Sequence, residues 1–143
     1  MKDNFVLDTS AIITFFENED GADIVEALLE KADAGEANIF LSFVTFTEIY
    51  YITIQKKGKK LALERIDSLE TLPIKRVDSS AEIGRIAGEL KAAYRLSFAD
   101  AWIAALAKDE NATLVHKDPE FEALESQITI LRLPYKTAPQ TTL

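Results

Sequence analysis

There is no cysteine in this chain. Disulfides, thiolate metal sites and cysteine nucleophiles are therefore excluded. Histidine is nearly absent as well, with His116 standing alone. A catalytic histidine pair, or a metal site built from several imidazoles, cannot be assembled within one chain. Long hydrophobic runs are missing too. The longest, residues 39–54, is broken by Ser42, Thr45, Thr47, Glu48 and Thr53, too short and too polar to span a bilayer. Met1 to Asn4 leads straight into FVLD, with no apolar core of a secretion signal. A cytoplasmic location is the default expectation. Basic residues are in deficit, 16 against 24 acids, for a net charge of −8. Passive nucleic-acid binders usually carry a basic face, so the charge argues against one. The argument weakens if a divalent metal neutralises some of the acids.

What is present fits one globular domain. The chain has 143 residues, 48% hydrophobic and 28% charged, enough to bury a sizeable core. Residues 1–133 read as a single domain and 134–143 as a loose tail. The segment FVL at 5–7 is a strand candidate, followed by helical spacing in TSAIITFFE. ADIVEALLEKADAG is an amphipathic helix with Gly35 as its stop. Residues 39–42 form a second strand. Residues 43–57 are ambiguous, because aromatic and β-branched residues favour strand. Their length, their Lys-Lys-Gly ending and their lack of period-two alternation predict a helix. KLALERIDSLET is helical, PIKRV a third strand, and SSAEIGRIAGELKAAYR helical. Ser97 opens another helix. TLVH is a strand, DPEFEALE a short helix and ITILRL a last strand. Strands alternating with helices predict a parallel sheet with helices on both faces.

Four acids sit at the edges of apolar sequence: Asp8, Glu48, Asp100 and Asp118. Each has an ordinary explanation. Asp8 precedes a helix and suits a cap. Ser97 to Asp100 has the spacing of a capping box. Asp118-Pro119 reads as a cap with proline at the first helical position. Glu48 could pair with a lysine or face water. Together they point elsewhere. Loops leaving the carboxyl ends of parallel strands gather at one edge of the sheet, where ligands bind. Carboxylates facing one another there repel, so something positive should occupy the crevice. Oxygen-only ligands select Mg²⁺ or Mn²⁺, which act on phosphates by activating water. Thr9 and Ser10 are placed to orient a carboxylate or a metal-bound water.

VLDTSAI, TEIYY, SFADAWIAALA and HKDPEF, in this order, resemble the PIN domain family, and most closely the toxin components of VapBC toxin–antitoxin pairs. The resemblance runs from Phe5 to about Leu133. It implies a three-layer α/β/α sandwich with a central, mainly parallel sheet of about five strands. It also implies a Mg²⁺- or Mn²⁺-dependent endoribonuclease that leaves 5′-phosphate and 3′-hydroxyl ends. Motif by motif, it assigns Asp8, Glu48, Asp100 and Asp118 to the metal and the catalysis, with Thr9 or Ser10 as supporting hydroxyl and Ser97 opening the Asp100 helix. Asp8 and Asp100 are the central ligands, Glu48 binds directly or through water, and Asp118 completes the site or holds a second metal. A cognate antitoxin and a homodimer are the implied partners, beside an RNA substrate. The chain departs from the pattern at His116, where relatives often carry Thr or Ser. That imidazole either covers the strand end or touches a phosphate.

Other features have competing readings. QKKGKK at 55–60 either complements a helix C-terminus or contacts phosphate, and Lys117 is a nearer candidate for touching RNA. Phe43, Phe46, Tyr50 and Tyr51 read as core, with Tyr50 or Tyr51 reaching a dimer or antitoxin surface. Two rival functions remain: a catalytically silent RNA- or protein-binding module, and a phosphatase with Asp8 as nucleophile. The phosphatase usually needs a second acid two residues on, where this chain has Ser10.

Overall fold

The computed structural model describes residues 2–135. Five strands form one wholly parallel sheet: β1 (Asp3–Leu7), β2 (Ala37–Ser42), β3 (Lys75–Val77), β4 (Thr113–His116) and β5 (Ile130–Arg132), in the spatial order β3-β2-β1-β4-β5. Between them run α1 (Thr9–Phe16), α2 (Ala22–Asp33), α3 (Phe43–Lys57), α4 (Lys59–Thr71), α5 (Ala81–Ala93) and α6 (Phe98–Asp109). The expected short helix before β5 is a 3-10 helix, Pro119–Leu124. The expected tail from residue 136 onward lies outside the described residues.

The sheet buries both faces, and its strands show why. Successive side chains of a strand point to opposite sides. Phe5 and Leu7, Ile39 and Leu41, and Val115 pack on one side with Ile12 of α1, Val25 and Leu29 of α2 and Ile49 of α3. Val6, Phe40 and Leu114 pack on the other with Ile83 and Leu90 of α5, Ile103 and Leu106 of α6, and Phe121 and Leu124. Apolar residues at every position, rather than every second one, mark strands covered on both sides. α6 carries Ala101, Ala104, Ala105 and Ala107 among its buried residues, small side chains that let its backbone approach the sheet. Fully burying Ile103 or Leu106 contributes about 2 kcal/mol each.

Local chemistry sets the element ends. Ser42 caps α3 through Val44 N–H at 3.4 Å, and Lys56 and Lys57 occupy its last turn, where cations suit the helix dipole. These terms, with Val44 packed in one core and Phe46 and Ile49 in the other, override the strand propensity of that segment. Gly21, at φ +100°, enters α2 where Pro134 Cδ lies 3.0 Å from any added Cβ. Both the left-handed backbone and the close approach require glycine there.

The chain starts in the middle of the sheet, moves outward to β3, and returns to the other side of β1 as β4. The crevice beyond the carboxyl ends of β1 and β4 is thus the topological switch point, the usual ligand position in such sheets. Asp8 follows β1 directly and Asp118 lies two residues beyond β4.

Candidate metal centre

The β1–β4 ladder sets the first contacts. It continues past Leu7 with Asp8 N–H donating to Val115 O at 2.9 Å. The Asp8 side chain is 2% exposed. Its Oδ2 accepts from Ser10 N–H at 3.0 Å and from the Ser10 hydroxyl in a short bond. The same hydroxyl accepts from Lys117 N–H at 2.8 Å, so Ser10 ties the end of β1 to the end of β4. One oxygen of Asp8 therefore does cap α1. The other, Oδ1, is buried with no hydrogen-bond partner among the described residues. A buried carboxylate oxygen without a partner is costly, and a cap does not explain it.

Thr9, the first residue of α1, turns the other way. Its hydroxyl lies 2.6 Å from Glu48 Oε1 and 3.1 Å from Thr45 Oγ1. Thr9 and Thr45 are buried and Glu48 half-buried. Glu48 is thereby oriented by hydroxyls and makes no ion pair with a lysine among the described residues.

Asp100 is 7% exposed in the first turn of α6. Ser97 caps that helix, its hydroxyl accepting from Asp100 N–H at 3.1 Å. The reciprocal half of the expected capping box is absent. Ser97 N–H donates instead to Glu120 Oε1, at 2.7 Å. Glu120 performs the capping role, and the Asp100 carboxylate is left facing Asp118 and Glu120. Oxygens of these three acids all lie within 4.8 Å of one another. Asp118 caps the 3-10 helix through Oδ1, which accepts from Glu120 N–H at 3.0 Å.

Electrostatics joins these groups into one site. Burial pushes the Asp8 carboxyl up to about 7, with the Glu48 and Asp118 charges acting the same way against the two Ser10 bonds. Burial pushes Asp100 up to about 9, helped by the charges of Asp8 and Asp118 and by Glu120. Acids held protonated near neutral pH by each other and by burial mark a crevice that favours a cation. The structure thus brings together all four acids singled out in the sequence, with Thr9, Ser10 and Ser97 holding three of them. It adds a fifth, Glu120. The available signal was its position two residues after Asp118, but it lay within an acid-rich helical segment that reads as solvated surface.

Nearby residues resolve their alternatives. His116 is fully buried at the end of β4, edge-on to Phe121. Its Nδ1 accepts from Asp118 N–H at 3.0 Å, and burial lowers its pKa, so the ring is neutral with its proton on Nε2. It covers the strand end and steadies Asp118. Lys117 is committed: its ammonium donates to Asp20 O at 2.8 Å and lies 3.8 Å from Glu19. Lys56 and Lys57 occupy the last turn of α3 with Gly58 as its cap, as the helix-end reading of the basic run predicts, and the Lys57 ammonium also pairs with Glu17 at 2.8 Å. Tyr51 is 45% exposed. The largest cavity among those described, about 850 Å³ beside Lys108, Gln127 and Arg132, touches none of the five acids.

A parallel α/β/α sandwich with carboxylates at its switch point defines a class of protein that gathers acids at strand ends. The model of the PIN domain matches residues 5–126, and the chain belongs to the PIN domain family. Among solved structures, the chain is similar to VapBC2 from Rickettsia felis bound to a promoter DNA fragment, at 20% identity and a TM-score of 0.74, covering 92% of this chain and 99% of that one. It is similar to DNA-bound VapBC from Salmonella typhimurium at 18% identity, TM-score 0.70, over 92% of this chain and 98% of the other. It is also similar to VapC20 of Mycobacterium tuberculosis, described as a toxin cleaving the sarcin–ricin loop, at 15% identity, TM-score 0.62, over 83% and 93%. No curated protein matches. At these identities the likeness shows the fold.

Proposed function

We propose that this protein is a metal-dependent endoribonuclease and the toxin of a toxin–antitoxin pair. The observation that carries the reading is the buried, partnerless Asp8 Oδ1 beside a three-acid cluster at the switch point. The donor set suits Mg²⁺ or Mn²⁺: it is all oxygen, and burial holds two of its acids, Asp8 and Asp100, above the ordinary carboxylate range. Asp8, Asp100 and Asp118 would hold the ion, with Glu48 bound directly or through water and Glu120 completing the acidic side.

When bound, the ion supplies an activated water and neutralises charge developing on the phosphodiester. The chain's own residues do the rest. Ser10 fixes Asp8 and Thr9 fixes Glu48, so neither carboxylate must reorient during the reaction. Ser97 releases Asp100 from capping by taking Glu120 as partner. His116 holds Asp118 through the backbone and, being neutral and buried, is no general base. Hydrolysis of RNA follows as the chemistry, supported by the membership of the PIN domain family.

A cognate antitoxin is supported by the toxin–antitoxin complexes among the similar structures. Its basic side chain entering the crevice would satisfy the charge otherwise met by metal. A homodimer is the expected assembly, with Tyr51 and Leu63, both exposed, offering apolar surface on α3 and α4. No helix among the described residues is long and apolar enough to cross a membrane.

The test is cleavage of end-labelled RNA by protein stripped with chelator. Cleavage is expected with Mg²⁺ or Mn²⁺ and not in EDTA, and Asp100→Asn should abolish it while remaining folded. Robust cleavage in excess chelator would overturn the proposal.

A further inference from the structure

The cavity of about 850 Å³ lies apart from the five acids, yet one of its lining residues touches the acidic centre. Its floor follows from the β4–β5 register, which sets Leu114 beside Ile130 and His116 beside Arg132. Alternation puts these four side chains on the α6 face of the sheet. Lys108, near the end of α6, and Gln127, in the turn before β5, stand over that face and are joined at 2.9 Å. His116 is fully buried and lines the cavity. Its Nδ1 accepts from Asp118 N–H at 3.0 Å, so the ring proton sits on Nε2, at the other edge. That Nε2–H is buried with no hydrogen-bond partner among the described residues. An orphaned buried donor is costly. The charges nearby are unequal in their commitments. Glu122 Oε1 already accepts from Arg132 at 2.6 Å and from the Tyr135 hydroxyl at 3.0 Å. Glu125 is exposed at the rim. Lys108 has no ion pair among the described residues, its bond being to the amide oxygen of Gln127.

We propose that this cavity is an effector site for a small organic anion, a carboxylate or a phosphate monoester, one oxygen of which accepts from His116 Nε2–H while Lys108 balances its charge. A ring N–H and an ammonium can only donate, so the occupant must bring acceptors. A cation would leave the His116 donor unmet and would face Lys108. Hydrogen bonds to an ionised oxygen are the strong ones. The volume lies within the range of small-ligand sites and far exceeds one water. The link to the acidic centre is a single ring: His116 meets the ligand with one nitrogen and Asp118 with the other. A ligand that fixes the ring fixes the Asp118 backbone, and any such coupling acts in both directions. Binding stands on the cavity alone, whereas the effector role rests on the metal-centre reading.

The experiment reads the ring itself. His116 is the only histidine in the chain, so the full protein labelled with ¹⁵N-histidine gives one pair of ring-nitrogen signals. Succinate and glycerol 3-phosphate are titrated separately into chelator-stripped protein at constant pH and ionic strength. At least one should move the Nε2 signal saturably, with a midpoint of about 1 mM or below, while Nδ1 stays hydrogen-bonded. The tighter probe tells a carboxylate source from a phosphate source. Lys108→Met should weaken that binding by about tenfold. Lys60→Met changes net charge equally but lies outside the cavity, and should change binding less than about twofold. No saturable change with either probe would overturn the proposal and leave only water on the His116 donor. Equal losses for the two lysine variants would overturn it as well. In a second arm, Mn²⁺ is titrated with and without the bound probe, free Mn²⁺ being corrected for chelation by the probe. The probe should tighten Mn²⁺ binding by about fivefold or more. Unchanged or weaker Mn²⁺ binding beside a saturable Nε2 shift would overturn the effector role. Absence of Mn²⁺ binding with and without probe would count against the metal centre, while the ring-nitrogen signals still decide the cavity.

Discussion

Replacing Asp100 by asparagine should stabilise the metal-free protein, and the gain should depend on pH. The unfolded chain releases the Asp100 proton near its ordinary value of 3.8, whereas the folded chain holds it up to about 9. Below pH 4 both states are protonated and the group costs nothing. Between those limits the folded state binds more protons, so stability falls as pH rises and levels off above about 9. At pH 7 the part of the shift already crossed, from 3.8 to 7, corresponds to about 4 kcal/mol. That figure is an upper bound, because Asp8, Asp118 and Glu120 share the same charge, and about 1–3 kcal/mol is expected. Asparagine keeps the backbone N–H that Ser97 accepts and loses only about 0.3–1 kcal/mol of interaction with the helix dipole. The variant should therefore melt several degrees higher than wild type in EDTA at pH 8, at about 3–4 °C per kcal/mol. The gap should shrink toward pH 4. Added Mg²⁺ should raise the wild type by mass action and the variant much less. The assay is thermal unfolding of both proteins from pH 4 to 9, with chelator and with metal. A variant that melts lower than wild type in EDTA, or a gap that does not change with pH, would refute the reasoning and leave Asp100 as a helix-end residue.

Other substitutions separate the roles of the surrounding groups. Glu120→Gln retains an oxygen for Ser97 N–H but removes one charge of the cluster, so Mn²⁺ affinity should fall about 10–100-fold; unchanged affinity in a Mn²⁺ titration would remove Glu120 from the centre. Thr9→Val deprives Glu48 of its 2.6 Å donor and should cost about 1–3 kcal/mol in urea unfolding, with weaker metal binding alongside. Ser97→Ala removes the α6 cap and should cost about 1 kcal/mol; a loss under a few tenths would show that Glu120 alone holds that helix end.

The strand and helix order was legible because both faces of the sheet are covered, which writes continuous apolar segments into β1, β2 and β4. Four of the five acids were legible for a related reason: each interrupts or closes an apolar segment, where a charge needs a purpose. Glu120 had no such boundary. Its partner, Ser97 N–H, is 23 residues away in sequence, and spacing rules within one helix turn assigned that donor to Asp100 instead. The long-range contact won over the local one, and this freed the Asp100 carboxylate. The Lys117 ammonium turns away from the acids it neighbours in sequence, because adjacency in sequence does not set direction. Residues next to each other at a strand end point opposite ways, and the Lys117 ammonium goes to Asp20 beside α2. The segment from Asp118 formed a 3-10 helix because only a short connection separates β4 from β5, with proline at its start.

Calorimetric titration of Mn²⁺ into chelator-stripped wild type and Asp100→Asn at pH 7.5, in two buffers of different ionisation enthalpy, tests the central claim most directly. Asp8 and Asp100 are held protonated to about 7 and about 9, and carboxylate ligands must lose their protons to bind metal. The wild type should bind Mn²⁺ with release of about one proton per chain, seen as a buffer-dependent heat, and Asp100→Asn should bind far more weakly and release less. Absence of binding, or binding of equal strength in both proteins with heats independent of buffer, would contradict a metal centre built from these carboxylates.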